Sequence, residues 1–136
     1  MILGFDPGRD KCGVALMDID KQLHYQQVLD SSKVTSTITA LSQKYNIDLI
    51  VIGDQTTSTI WKQNLTQIIS ATVPIIKIDE RYSSLEARDR YWQMYPPHGF
   101  FRLIPRGMRI PPRPVDDIVA VILIERYLEN CVEVSS

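Results

Sequence analysis

Two textures of hydrophobic pattern follow one another along the chain. Ile2 to Phe5 is an apolar run that stops at the turn signal Asp6-Pro7-Gly8, so it predicts a buried strand with a carboxylate at its end. Cys12 to Met17 is a second such run, and Gln22 to Leu29 alternates loosely through Leu23, Tyr25 and Val28 after the turn Asp18-Ile19-Asp20-Lys21. Three strands with short polar connections predict an antiparallel meander. From Ser31 the period lengthens. Ser31 and Ser32 are candidate caps for a helix whose apolar positions are Val34, Ile38, Leu41 and Tyr45. Asp48 then leads a short β-branched run ending at Gly53, the pattern of a central parallel strand. Trp61, Leu65, Ile68 and Ile69 define a second helix before Pro74, and Ile75 to Ile78 another buried strand. Asp79-Glu80-Arg81 closes that strand, and Ser83 with Glu86 fits a capping box for a helix running to about Met94. Pro96 to Pro114 holds six of the eight prolines, and no regular element is expected there. Val115 opens a last helix that buries Ala120, Leu123, Ile124, Tyr127 and Leu128, ends near Asn130 and leaves six frayed residues. The order predicts an α/β fold in one domain over residues 1–136. Its sheet is mixed and five-stranded, a three-stranded antiparallel meander plus two parallel strands, flanked by helices.

Composition narrows the function classes. A chain of 136 residues does not accommodate two large lobes, and 44% hydrophobic residues exclude global disorder. A net charge of -1 gives no overall attraction to nucleic acid or to an anionic membrane, so any such attraction is local. Cys12 and Cys131 make no disulfide scaffold and sit at no metal-binding spacing, which points to a reducing cytoplasm. No apolar run approaches the roughly 20 residues that span a bilayer, and an acid stands at position 6 where a signal peptide carries basic residues. The expectation is a soluble, untargeted protein with no membrane partner.

The chemistry is suggested by where the acids fall. In mixed sheets functional groups gather at strand ends. Asp6 ends the first strand, Glu80 follows the last, and Asp116 with Asp117 begins the final helix, so acids distant in sequence are placed to meet at one edge. Each alone has a structural reading: Asp6 as a turn residue, Glu80 as a surface partner of Arg81, Asp116 as a helix cap. Together they point to a site. Clustered carboxylates repel unless cations neutralise them, and oxygen-only ligands suit Mg2+ or Mn2+. Two such ions about 4 Å apart can hold a phosphodiester, activate water and stabilise the leaving oxygen. The histidines, His24 and His98, have no serine-acid partner recognisable by spacing.

Several of these segments together resemble a known family. Gly4-Phe-Asp6-Pro-Gly8, Cys12-Gly-Val-Ala15, Val51-Ile-Gly53, Asp79-Glu-Arg81 with Ser83 and Glu86-Ala87, and Val115-Asp116 leading into Ala120 and Glu125-Arg-Tyr127-Leu128 are similar to the YqgF (RuvX) family over nearly the whole chain. The resemblance implies an RNase H-like fold and a Holliday-junction-resolvase-like nuclease with a role in maturing the precursor of small-subunit ribosomal RNA. It also implies that Asp6, Glu80 and Asp116 are the metal-binding catalytic acids. The chain departs from the family in places. Asp6-Pro7-Gly8 is closer to the RuvC resolvases than to the usual Asp-x-Gly-Thr, which leaves RNA and branched DNA both open as substrates. Asp117 follows Asp116, so either acid or both are candidate metal ligands, and Gly53-Asp54-Gln55 replaces the family's Gly-Leu-Pro.

The proline-rich segment carries charge as well. Arg102, Arg106, Arg109 and Arg113 lie in it with no acidic residue, and the other eleven basic residues of the chain face sixteen acids. Positive potential is thus concentrated beside Asp116, where arginine forks bind phosphate and Phe100 and Phe101 are placed to stack on unpaired bases. Arg9 and Lys11 in the first turn and Arg81 beside Glu80 are further candidate phosphate contacts. Trp61 and Trp92 fall at helical spacing and read as core or interface. By the resemblance, the leading expectation is a Mg2+- or Mn2+-dependent endonuclease that matures the precursor of small-subunit ribosomal RNA, with a resolvase acting on branched DNA as the alternative, a homodimer if it cuts a four-way junction symmetrically. The rival is a non-catalytic RNA-binding module of the same fold. A nucleotide-binding lobe of the actin and sugar-kinase type is a third reading, disfavoured because one lobe is too few.

Overall fold

The computed structural model describes residues 1–8, 10–54, 58–70, 72–79, 81–96, 99–105 and 111–135, with the side chains of 58, 100, 101 and 130–135 outside the description. Strands β1 (Ile2–Asp6), β2 (Lys11–Met17) and β3 (Leu23–Asp30) form the antiparallel meander. Then come α1 (Val34–Lys44), β4 (Leu49–Gly53), α2 (Ser58–Ile68), β5 (Ile75–Ile78), α3 (Ser83–Met94) and α4 (Asp116–Ser135). The sheet order is β3-β2-β1-β4-β5, with β1, β4 and β5 mutually parallel. This is the mixed five-stranded sheet that the hydrophobic runs predict.

Alternation along the central strands sends side chains to two cores. Leu3, Phe5, Val14, Leu16, Ile50 and Ile52 pack against α1 and α2, where Trp61 sets its ring 5.1 Å from that of Phe5. Ile2, Ala15, Met17, Leu49 and Val51 face α3 and α4 instead. On this second face β1 and β2 carry glycine at positions 4 and 13. An added Cβ at Gly4 would lie 2.4 Å from the Ala120 carbonyl oxygen, and one at Gly13 only 1.8 Å from that of Asp116. The missing side chains let the α4 backbone lie directly on the sheet. Residues Asp117 to Ile124 are buried all round, between the sheet and α3.

Several local expectations are corrected. The serines at 31 and 32 do not cap α1; with Lys33 they form a 3-10 turn, and no side-chain cap bond is made at either helix start. The capping box at Ser83 is not formed either. Tyr82 occupies the cap position in the left-handed region with φ 62°, and the Glu86 carboxylate is drawn to Arg126 and Arg90. Within the proline-rich segment Gly99–Leu103 forms a 3-10 turn, since those five residues contain no proline. The last helix does not fray at Asn130 but continues to Ser135, the Cys131-Val132-Glu133-Val134 stretch having no glycine or proline to stop it. Among the described residues, no helix is long and apolar enough to cross a membrane.

Candidate nuclease site

Asp6 stands opposite Gly13 in the β1–β2 ladder, so its side chain projects from the same face as the open space at Gly13. The backbone of Asp116 fills that space. The end of β1 and the head of α4 are thereby forced together, close enough for the Asp6 carboxyl to bear on the ionisation of Asp116. Asp6 is only 6% exposed. Two neighbouring carboxyls favour a proton on one of them or a cation beside them.

Electrostatics at Asp116 show the same conflict. Burial pushes its carboxyl above the ordinary value of 3.8; the bond to Asp6 and its own backbone amide draw it back, while the charge of Asp117 pushes it further up. The positive end of the α4 dipole offsets part of this repulsion. The sign for stability follows. The folded state holds the Asp116 proton more tightly than the unfolded chain, so stability falls as pH rises from about 4 through the raised value, because the unfolded chain releases its proton first. Thermal melts in a chelator should show this decline in wild type and its absence in Asp116→Asn. A melting difference between the two that stays constant with pH would contradict it.

Asp117 points elsewhere. Its carboxylate, also buried, accepts from Gln26 Nε2 at 2.8 Å and from Arg113 Nη1 at 3.0 Å and Nη2 at 3.4 Å. Burial alone would lower the Arg113 pKa; the hydrogen bond and charge of Asp117, and then Tyr95, outweigh it and raise it. The guanidinium also lies 5.3 Å from the Tyr91 ring centroid and 5.8 Å from that of Tyr95. These groups border a cavity of about 390 Å³ lined by Gln26, Gln27, Val28, Tyr95, Arg113, Pro114 and Asp117. Gln26 carries no signal in the sequence: it is one polar residue among several on β3.

The remaining sequence-derived positions are dispersed. Lys11 is paired with Asp30 across the β2–β3 edge. Arg81 is exposed, its backbone N–H bonded to the Asp79 carboxylate at 2.8 Å. Arg102 is exposed in the 3-10 turn, and Asp54 is exposed just after β4. Glu80, Arg9, Arg106, Arg109 and His98 lie outside the described residues, as do the side chains of Phe100 and Phe101. Among the described residues no group of three His, Cys, Asp or Glu side chains is arranged to hold a metal ion. What they supply is the Asp6–Asp116 pair.

This sheet order, with flanking helices on both faces, is RNase H-like and belongs to the class of resolvase folds. Fowlpox virus resolvase, solved with its substrate Holliday junction DNA, superposes with a TM-score of 0.62 at 15% identity, over 96% of this chain and 98% of that one. Thermus thermophilus RuvC gives 0.52 at 14% identity, over 93% of each chain. The RuvX family, described as Holliday junction resolvase, matches residues 1–130, and the chain belongs to that family, a family of nucleases. Comparison with curated proteins gives no match.

Proposed function

We propose that this protein is a Mg2+- or Mn2+-dependent endonuclease that hydrolyses phosphodiester bonds in branched or otherwise structured nucleic acid. The observation that carries the reading is the contact between the Asp6 and Asp116 carboxyls at the junction of β1 and α4. Two acids held together at a surface edge are a standing cost in the free protein, and a hard divalent cation removes it. The donor set therefore fits: Asp6 and Asp116 would hold the ion, with Glu80 as the third ligand by its place after β5. Bound there, it would lower the pKa of water and stabilise the leaving oxygen. Asp6, from the end of β1, and Asp116, from the head of α4, would orient the ion. Asp117, occupied by Arg113 and Gln26, keeps the first turn of α4 tied to β3. Arg102, exposed in the 3-10 turn, would supply a phosphate contact.

Branched DNA is the favoured substrate, supported by the family description, the Asp-Pro-Gly opening and the junction-bound fowlpox resolvase. Precursor ribosomal RNA is the other arm of the test. Purified protein is offered a four-way DNA junction, its linear duplex counterpart and a structured RNA matching the small-subunit precursor, each with Mg2+, Mn2+ or chelator. Cleavage of the junction with metal alone is expected. Cleavage of RNA only would move the substrate assignment, and metal-independent binding without cleavage of any of them would replace the enzyme by an RNA-binding module.

A further inference from the structure

The cavity of about 390 Å³ at the head of α4 is walled by Gln26, Gln27 and Val28 of β3, by Tyr95 after α3, and by Arg113 and Asp117. Its size falls within the roughly 300–1,000 Å³ of ligand sites. The ladder fixes its place. Asp6, Gly13 and Val28 stand side by side across β1, β2 and β3, so the backbone at Val28 is two strand spacings, about 10 Å, from that of Asp6. Asp117 adjoins Asp116 in the chain. The cavity is thus a neighbour of the acid pair, with its own set of groups.

Charge decides what this wall suits. Its charged groups, Arg113 and Asp117, are paired through Nη1 at 3.0 Å and Nη2 at 3.4 Å, and Nη1 also donates to the Pro114 carbonyl at 2.7 Å. With Arg113 offset in place, the wall has no net positive potential of its own to hold a phosphate. Flat and polar surfaces remain. Tyr95, 49% exposed, sets its ring centroid 5.1 Å from that of buried Tyr91, and the Arg113 guanidinium lies 5.3 Å from the Tyr91 centroid and 5.8 Å from that of Tyr95. The Gln26 amide is oriented by its Nε2 bond to Asp117 at 2.8 Å, since a carboxylate only accepts.

We propose that this cavity receives one unpaired nucleobase of the strand that is cut, stacked on Tyr95 and hydrogen-bonded at its edge by the Gln26 and Gln27 amides. This rests on the nuclease reading and adds to it a site for a base, where that reading uses only acids and phosphate. A base is neutral, planar and rimmed with donors and acceptors, which matches the wall. Unpaired bases occur where strands separate, at a branch point or in an RNA loop. Held about 10 Å from Asp6, such a base would set which phosphodiester lies over the acids.

The test uses whichever of the four-way DNA junction and the structured RNA the protein cuts with Mn2+, and measures binding in chelator so that no strand is broken. An abasic residue is moved one nucleotide at a time past the cleavage position in otherwise identical probes. Wild type should lose about tenfold in affinity at one position, the effect of one base stacked on an aromatic ring, and little at the others. Tyr95→Ala should lose about tenfold on the intact probe and nothing further on the sensitive abasic one, while Tyr95→Phe should bind both as wild type does. Tyr95→Leu, which keeps apolar bulk against Tyr91, stands in if the alanine variant folds poorly. Uniform binding across the abasic series in wild type, or equal weakening of intact and abasic probes by Tyr95→Ala, overturns the proposal and leaves the nuclease reading intact. Cleavage of neither substrate with Mn2+ overturns the nuclease reading, and the proposal with it.

Discussion

Replacing Asp116 by asparagine is expected to stop cleavage and, in the same protein, to raise the melting temperature measured in chelator. The two effects have one cause. In the metal-free chain Asp116 is half-buried against Asp6 with Asp117 beside it, so its charge is opposed by desolvation and by a like neighbour. An amide of the same shape can donate to the Asp6 carboxylate without needing a proton or a cation between them. Since water screens the exposed half of the group, the gain should stay below about 1 kcal/mol, a rise of a few degrees for a chain of this size. Activity should move the opposite way, falling by at least about 10³-fold once a ligand to the ion that stabilises the reacting phosphate is lost. Asp6→Asn should behave alike. Opposite signs separate a functional acid from a structural one, whose removal lowers stability and activity together. Cleavage within about threefold of wild type, or a melting temperature that drops by several degrees, would exclude Asp116 from the site.

That Asp6 and Asp116 meet was legible in the sequence because strand ends and helix starts are marked by period and turn residues, and mixed sheets gather such ends on one edge. How they meet was not. The close approach depends on Gly13 lying opposite Asp6, a register that only the assembled ladder defines. Asp117 illustrates the limit of counting acids: four residues from Arg113 and facing Gln26 on a distant strand, it is neutralised within the fold rather than presented beside Asp116. At Glu86 a local rule gave way to a tertiary one, because two arginines outweigh a single backbone N–H as partners for a carboxylate. Burial of the Ile118–Ile124 stretch of α4 on all sides was foreshadowed by its unbroken apolar run. The period-based reading assigned it one buried face because it treated the helix as a surface element. Arg126 lies in a segment the sequence marked as helix, and its reach to Asp79 and Arg81 spans more than forty residues.

Gly13→Ala should be among the most damaging single-methyl changes available to this chain. Taken as a local substitution it ought to help, since glycine inside a strand costs roughly 0.5–1 kcal/mol relative to alanine. The packing reverses the sign. The new Cβ would fall 1.8 Å from the Asp116 carbonyl oxygen, 2.1 Å from its carbon and 2.7 Å from the Asp117 nitrogen, all backbone atoms that no rotamer change can move aside. Relief requires the first turn of α4 to lift from β2, which strains the Gln26 and Arg113 bonds to Asp117 and separates Asp116 from Asp6. A cost of about 3 kcal/mol, at the upper end for overpacking, is a large share of the 5–15 kcal/mol typical of a domain and lowers the melting temperature by roughly 10 °C. Cleavage measured well below that temperature, where the variant is still folded, should remain far under wild type, because the displaced helix start carries the acid with it. A Gly13→Ala protein that melts and cuts like wild type would mean that α4 does not rest on β2 at this point, and the pairing of Asp6 with Asp116 would lose its structural basis.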